Sequence, residues 1–473
     1  MDNKLSIMLY RGMLLFSMVW LGYTSTSAQQ KYNLSADQAA ALALKNVTDI
    51  KNLQIDREIQ LAKNREYIAQ ALPQINGNVQ MQHFFSIPVT LLPDFVSPSV
   101  YQVLVDNGVK NGTGNPIAKP NNPAQFFPAQ FGVPWQTSAS AQFQQLLFQP
   151  DLFIAIKARK KAIDFTDANI KVMEDSVKSN VYKSYYSVLI AEKRKHFLDE
   201  SIKRLKKLKA DQEKLYTNGF AERLDIDKTQ VTLNNLVTSA SQIEKLIEIG
   251  YASMKFTLAI EQKDTLVLSD TLSVDLVKKD LLELTSFNYS DRKEIQLLNV
   301  VKDLQGLDIK RSKMAYLPTI STYWSYSKNA MRQSFNFFDF DQKWFKTSVW
   351  GLNMNIPIVD GGQKLQRTRQ ANLNMQKTKN TIENVQRAID LQLAASSIMF
   401  KNALSSLDMQ ERNVELAGKV YSTTKKKYEQ GLGSSFELLQ TETELESAQS
   451  NYFQSLYDAV NAKINYTKAL GKL

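Results

Sequence analysis

The stretch YEQGLGSSFELLQTETELESAQSNY (residues 428–452) decides the fold. Gly431 and Gly433 interrupt it once, and on either side the chain runs free of the residues that stop helices. No proline or glycine lies between Gly362 and Gly418, or between Gly433 and Gly471. Stretches of that length with mixed polar and apolar residues predict long helices, and the glycine pair predicts a sharp turn between two of them. Past the turn, Leu438, Leu445, Tyr452, Ala459 and Tyr466 recur every seven residues. Thr441, Ala448, Ser455, Ala462 and Ala469 follow each by three. Large residues in one column and small ones in the other form a heptad grid that lets neighbouring helices pack closely.

The same arrangement occurs earlier. Between Pro150 and Gly219 there is again neither proline nor glycine, and a helix over 151–216 would be roughly 100 Å long at 1.5 Å per residue. Ile226, Leu233, Ala240, Ile247 and Met254 make a second grid. YTNGFAERLD (216–225) parallels YEQGLGSSFE (428–437), and ALPQINGNVQMQ (71–82) parallels YLPTISTYWSYS (316–327), Pro73 matching Pro318. LLFQPDL (146–152) parallels IPIVDGG (356–362). These correspondences predict a two-fold internal repeat: helix, strand pair, long helix, glycine tip, long return helix.

The strand pairs are expected at about 75–85, 137–148, 320–329 and 348–358. Ile75, Val79 and Met81 alternate with Asn76, Asn78, Gln80 and Gln82. Trp350, Leu352, Met354 and Ile356 alternate with Gly351, Asn353 and Asn355. An apolar face and a polar face on strands of this length suit a transmembrane β-barrel, as they suit a half-buried soluble sheet. Trp135, Trp324, Trp344 and Trp350 are candidate membrane-interface aromatics. A sheet in lipid cannot keep open edges, and four strands cannot close a barrel, so chains must assemble if these strands span. The segment 86–136 is rich in Pro, Asn and Gly and reads as a loop over the barrel mouth.

Composition excludes much else. The chain has 473 residues, 43% apolar and 22% charged, with no cysteine and two histidines. Thiolate chemistry, disulfides and Fe–S ligation are ruled out, and His83 and His196 have no partner set for a metal or a triad. No nucleophile–base pair or phosphate-binding glycine loop is present. An enzyme is therefore not expected, nor is a cofactor. The net charge of +11 is modest for this length. Residues 1–28 combine Lys4 and Arg11 with GMLLFSMVWLG and small residues near Ala28, the pattern of a secretory signal. An exported chain makes nucleic acid an unlikely partner.

At these residues the chain resembles the TolC family of outer-membrane efflux channels. The carriers are the repeat, the proline-started strand pairs, IPIVDGG opening a long helix, the second tip, and the ending NYTKALGKL. The distance from strand-to-helix turn to glycine tip is 69 residues in one half (Pro150 to Gly219) and 71 in the other (Asp360 to Gly431). The resemblance implies a mixed α and β membrane protein. A long α-helical coiled-coil barrel would continue into an outer-membrane β-barrel of four strands per chain and twelve per homotrimer. Its divisions would be a first repeat at 29–260, an equatorial segment at 261–290 and a second repeat at 291–473. It would sit in outer-membrane lipid, with its tunnel in the periplasm. It would serve as a passive exit duct for a periplasmic adaptor and an inner-membrane pump.

The resemblance also implies site residues. The tips 217–225 and 429–437 would meet the adaptor through Gly219, Phe220, Gly431, Leu432 and Gly433; as plain turn chemistry they would do no more than reverse the chain. A tyrosine before the second tip links to an acid after the first in this family, and Tyr428 and Asp225 match that pair. Glu437 matches a constriction acid. The following acidic position is Gln440 here, which removes one acidic ring. Alternatively, these carboxylates are solvated groups at a helix start. The basic runs KARKK (157–161), KRLKKLK (203–209) and KKK (425–427) read as solvated rod faces, or as attraction to lipid headgroups for the first and to the adaptor for the others. A duct for secreted proteins on the same fold, and a non-conducting periplasmic scaffold, remain as alternatives.

Overall fold

The computed structural model describes residues 30–119, 126–272, 277–278, 287–339 and 341–473. The expected signal at 1–28, and residues 273–276 and 279–286 of the expected equatorial segment, lie outside the described residues. The chain forms two units. One comprises residues up to 61, 160–305 and 373–473, and the other 62–159 and 306–372.

The first unit is mainly helical. Its long elements are α4 (Pro150–Thr217), α5 (Arg223–Thr257), α7 (Gln363–Glu429) and α8 (Ser435–Ala469). The outer turns of α4 and α7 belong to the second unit. The heptad columns turn inward. Ile226, Leu233, Ala240 and Met254 are buried, as are Leu438, Leu445, Ala459, Ser455, Ala462 and Ala469. They pack into separate apolar clusters along the helices. One gathers Leu198, Leu205, Leu208, Leu233, Leu236, Ile243 and Leu438. Another centres on Phe400, Leu407, Phe453 and Leu456. Small residues set the closest approaches, because a Cβ at Gly250 would come within 2.8 Å of Val188 Cγ2.

A third cluster joins α1 (Ala36–Asn46) to α4 and α5 through Ala36, Ala39, Ala40, Ala43, Val181 and Tyr185. Beside it, β1 (Lys31–Leu34) pairs in parallel with β6 (Thr265–Leu268). The backbone N–H of Ala36 donates to Asp270 Oδ2 at 2.8 Å, and Tyr185 Oη donates to the Leu34 carbonyl at 3.0 Å. Ser35 starts α1 with a reciprocal capping box to Gln38.

The second unit holds a four-stranded antiparallel sheet in the order β2 (Gln74–His83), β5 (Trp135–Phe148), β7 (Thr319–Arg332), β8 (Phe345–Asn355). Helices α2 (Thr48–Ala69) and α6 (Lys293–Met314) lead into β2 and β7. Strand β8 stops before Pro357, which lacks the N–H a ladder needs, so it ends short of the expected 358 and begins earlier. Strand β7 runs past the expected 329 to Arg332, where it still pairs with Trp135. The long loop is not bare: it carries a hairpin of β3 (Val89–Pro93) with β4 (Phe126–Gln130) and an exposed helix α3 (Val96–Asp106). No described helix is long and apolar enough to cross a membrane.

Candidate functional site

Two features carry the functional argument, the helical tips and the sheet. At each tip the chain turns through a glycine in the left-handed region, Gly219 at φ +79° and Gly431 at φ +75°. The hydrogen bonds match: Phe220 N–H donates to the Leu215 carbonyl, and Leu432 N–H to the Lys427 carbonyl, both at 2.8 Å. This is the Schellman closure, in which a residue without Cβ satisfies the last carbonyls of a helix. Phe220 and Leu432 project from the turns, 81% and 77% exposed. Nothing lies within 4 Å of a Cβ built on either glycine.

Just inside the tips, Tyr428 is half-buried on α7. Burial first, and then the nearby Asp211 and Asp225 carboxylates, push its hydroxyl above the ordinary phenol range. No hydrogen bond joins the Tyr428 and Asp225 side chains. Glu437 lies in the first turn of α8, exposed, with its N–H accepted by Ser434 Oγ at 3.1 Å. Gln440, also exposed, donates to Glu444 at 3.0 Å. An ion pair missed in the sequence lies farther along the helices. Arg204 on α4 donates from Nη2 to Glu442 Oε1 at 2.8 Å, with Glu442 2% exposed. Tyr421 on α7 lies under the guanidinium at 5.5 Å. The signal was available: Glu442 falls on the buried side of the heptad grid, where an acid needs a partner.

Of the basic runs, Lys161 pairs with Asp303 at 2.9 Å, Lys203 with Glu200 at 2.6 Å, and Lys425 with Glu429 at 3.9 Å. Much of that charge is therefore spent within the rods. His196 is exposed on α4, and no group of acidic or histidine side chains among the described residues could hold a metal.

The sheet has two unlike faces. The register places Ile75, Val79 and Met81 of β2 beside Phe143, Ala139 and Thr137 of β5. Phe143 in turn faces Trp324 of β7, which faces Trp350 of β8; Thr322 faces Leu352 and Ile320 faces Met354. One continuous surface is thus apolar and aromatic. The other carries Asn76, Asn78, Gln80, Gln142, Gln144, Ser325, Asn353 and Asn355. Val79, Trp350 and Leu352 are 77%, 72% and 58% exposed, far more apolar surface than a lone soluble sheet leaves in water. Strands β2 and β8 are its unpaired edges.

Trp324 and Trp350 sit opposite each other within the strands, the Trp324 indole donating to Ser348 Oγ at 3.0 Å. Trp135 stands at the loop end, its ring 4.2 Å from His83 and 5.0 Å from Phe335. Trp344 lies just before β8, 6.4 Å from Phe337.

Residues 304–472 match the outer membrane efflux protein family. The chain is 18% identical over 340 residues to the outer membrane protein TolC of Vibrio cholerae serotype O1, covering 71% of this chain and 77% of that one. Both matches make the chain similar to TolC-like outer-membrane factors. The chain is also 23% identical over 303 residues to the proteases secretion protein PrtF of Dickeya chrysanthemi, spanning 63% of that protein's length. Its fold agrees with CusC, TM-score 0.68 at 14% identity over 94% of this chain and 95% of CusC. It also agrees with the Campylobacter jejuni CmeC outer membrane channel, TM-score 0.66 at 15% identity over 96% of this chain and 91% of that one. Such channels combine a helical tunnel with a β-barrel. The relatives and structures it matches are described as outer membrane proteins, secretion proteins and membrane channels.

Proposed function

We propose that three copies of this chain close one twelve-stranded barrel and that the trimer is the passive exit duct of a tripartite exporter. The observation that carries the reading is the sheet: an apolar face continuous over four strands, a polar face behind it, and two edges that lipid would not tolerate open. Pairing β8 of one copy with β2 of the next removes both edges and turns the polar face to a lumen. A two-fold repeat supports the same reading, since the paired helices have 68 and 35 residues in one half and 67 and 35 in the other.

The tips dock the helical hairpin of a periplasmic adaptor, with Phe220 and Leu432 as apolar anchors on turns set by Gly219 and Gly431. The inner-membrane pump supplies the energy. Tyr428 and Asp225 hold the tip closed, and Glu437 copies, one per chain, put like charges around the constriction. Planar-bilayer recording from the purified protein tests this. Discrete steps are expected, together with an oligomer that survives detergent and shifts on boiling. A soluble species without either property would favour the scaffold and overturn the duct. The double variant Tyr428→Phe, Asp225→Ala is expected to raise single-channel conductance; unchanged conductance would remove the gate and leave the duct.

The likeness to PrtF, and to the alkaline protease secretion protein AprF of Pseudomonas aeruginosa at 22% identity over 37% of this chain, favours protein export as the second reading. Deleting the protein separates the two. Loss of a secreted polypeptide supports protein export, and increased sensitivity to toxic small molecules supports efflux.

A further inference from the structure

The four strands of the sheet contain no Asp and no Glu; their ionised side chains are Lys328 and Arg332 on β7 and Lys346 on β8. All three are cations. Lys328 is directly opposite Lys346 in the register, and Arg332 lies two steps farther along the same face of β7. That face is the apolar one, with Trp324 and Trp350 four residues below the lysines. Both lysines are exposed and neither forms an ion pair among the described residues. Like charges placed directly opposite each other on a sheet repel. Arg332 adds to the imbalance. It is 6% exposed, folded over the Phe337 ring at 5.7 Å, and its Nε and Nη2 are buried without a partner.

Closing the barrel would bring no strand carboxylate to this cluster. The strand that would lie beside β8 is β2 of the next copy, and residues 74–83 supply no carboxylate. The lysines stand near the end of the strands remote from the helices that lead into the sheet. Along β7, Lys328 is eight residues above Ile320, about 26 Å at 3.3 Å per residue and less after strand tilt. With a tilt of roughly 35–45° the rise is about 20 Å, in the upper part of a hydrocarbon band about 25 Å tall. We infer that Lys328 and Lys346, backed by Arg332, form a binding site for the phosphate of a lipid headgroup in the outward leaflet. The aromatic rings below would lie against its acyl chains. The inference rests on the barrel reading above.

Native mass spectrometry of the full-length protein in detergent tests it. The probes are diphosphoryl lipid A, the same glycolipid stripped of phosphate, and inorganic phosphate. The wild type is expected to retain the phosphorylated lipid, and Lys328→Gln with Lys346→Gln to weaken retention about 30-fold, at about fivefold per lysine near a charged surface. Lys343→Gln, on the adjoining loop, should leave retention unchanged. Equal retention of phosphorylated and stripped lipid, or no change in the double variant, would overturn the site. Displacement of the lipid by millimolar inorganic phosphate would assign the cluster to free phosphate and overturn the lipid. The double variant should still give a heat-modifiable oligomer. An intact oligomer without lipid preference refutes this site alone, whereas absence of the oligomer in the wild type refutes the barrel and the site together.

Discussion

The two helical hairpins differ less at their turns than at the helix ends around them. Both tips use a left-handed glycine with the same pair of backbone bonds. Restarting the chain is another matter. In the second hairpin Ser434 caps α8 through a bond to Glu437 N–H; in the first, Glu222 takes the same place and makes no side-chain cap. The far ends differ too. Helix α8 stops at Gly471, φ +72°, whereas α5 stops at Ala259, φ +51°, the one described non-glycine residue with positive φ. Both positions close with the same bonds, Ile260 N–H to the Lys255 carbonyl and Lys472 N–H to the Thr467 carbonyl, each at 3.1 Å. The second hairpin is written in favourable local chemistry. The first is held by its packing, with Met254 and Leu258 buried against the alanines of α1.

The largest test of that contrast is Gly471→Ala. A Cβ there would sit 2.9 Å from the backbone carbon and oxygen of Asp291, in a conformation L-residues resist. The expected loss is about 2–4 kcal/mol, read as a drop in the helical melting temperature followed by circular dichroism in detergent. If the variant melts like the wild type, the crowding is not structural. Next is Ser434→Ala, which should cost about 1 kcal/mol and raise the rate of proteolysis at the second tip alone; equal cleavage at both tips would remove the distinction between them. Glu222→Ser should give the first hairpin the cap it lacks, for a gain of up to about 1 kcal/mol, seen as slower amide exchange in 223–226. The smallest effect is Ala259→Gly. Relief of the left-handed strain outweighs the entropy glycine adds to the unfolded chain by roughly 0.5 kcal/mol. A destabilised variant would show that Ala259 earns its place through its methyl group.

Much of the helical fold was legible because heptad spacing repeats over many turns, so that errors at one residue do not matter. The columns at Leu438, Leu445 and Ala459, and at Ile226, Leu233 and Ala240, all came out buried. The faces of β2 and β8 were legible for the same reason with a period of two. What escaped depends on relations between distant elements. Arg204 and Glu442 are 238 residues apart, and their pairing follows from how α4 and α8 rotate against each other, which no local pattern records. The β1–β6 pair joins segments of four residues, too short for a period to register. In the long loop, VSPSVYQVLVD looked like loop because Pro93 and Pro98 flank and enter it, yet helix α3 admits a proline in its first turn. Among the site residues, Tyr428 and Asp225 were paired through the family resemblance alone. The missing hydrogen bond between them could not be read from sequence, since it is set by side-chain reach.

The parallel pairing of β1 with β6 also imposes an order of events. Gln30 N–H is accepted by Asp264 Oδ1 across 234 positions, and Ala36 N–H by Asp270 across the same span. The pairs β2–β5, β3–β4 and β7–β8 join segments closer in the chain, and only the β5–β7 pair, Trp135 with Arg332, spans a comparable distance. The first strand of the described chain has to wait, unpaired, until residue 265 is available, and closing so large a loop delays it further. Throughout that interval Tyr32 and Leu34 are open to other proteins. A chain made from its amino end therefore passes through a long stage in which residues 31–34 lack the strand they pair with.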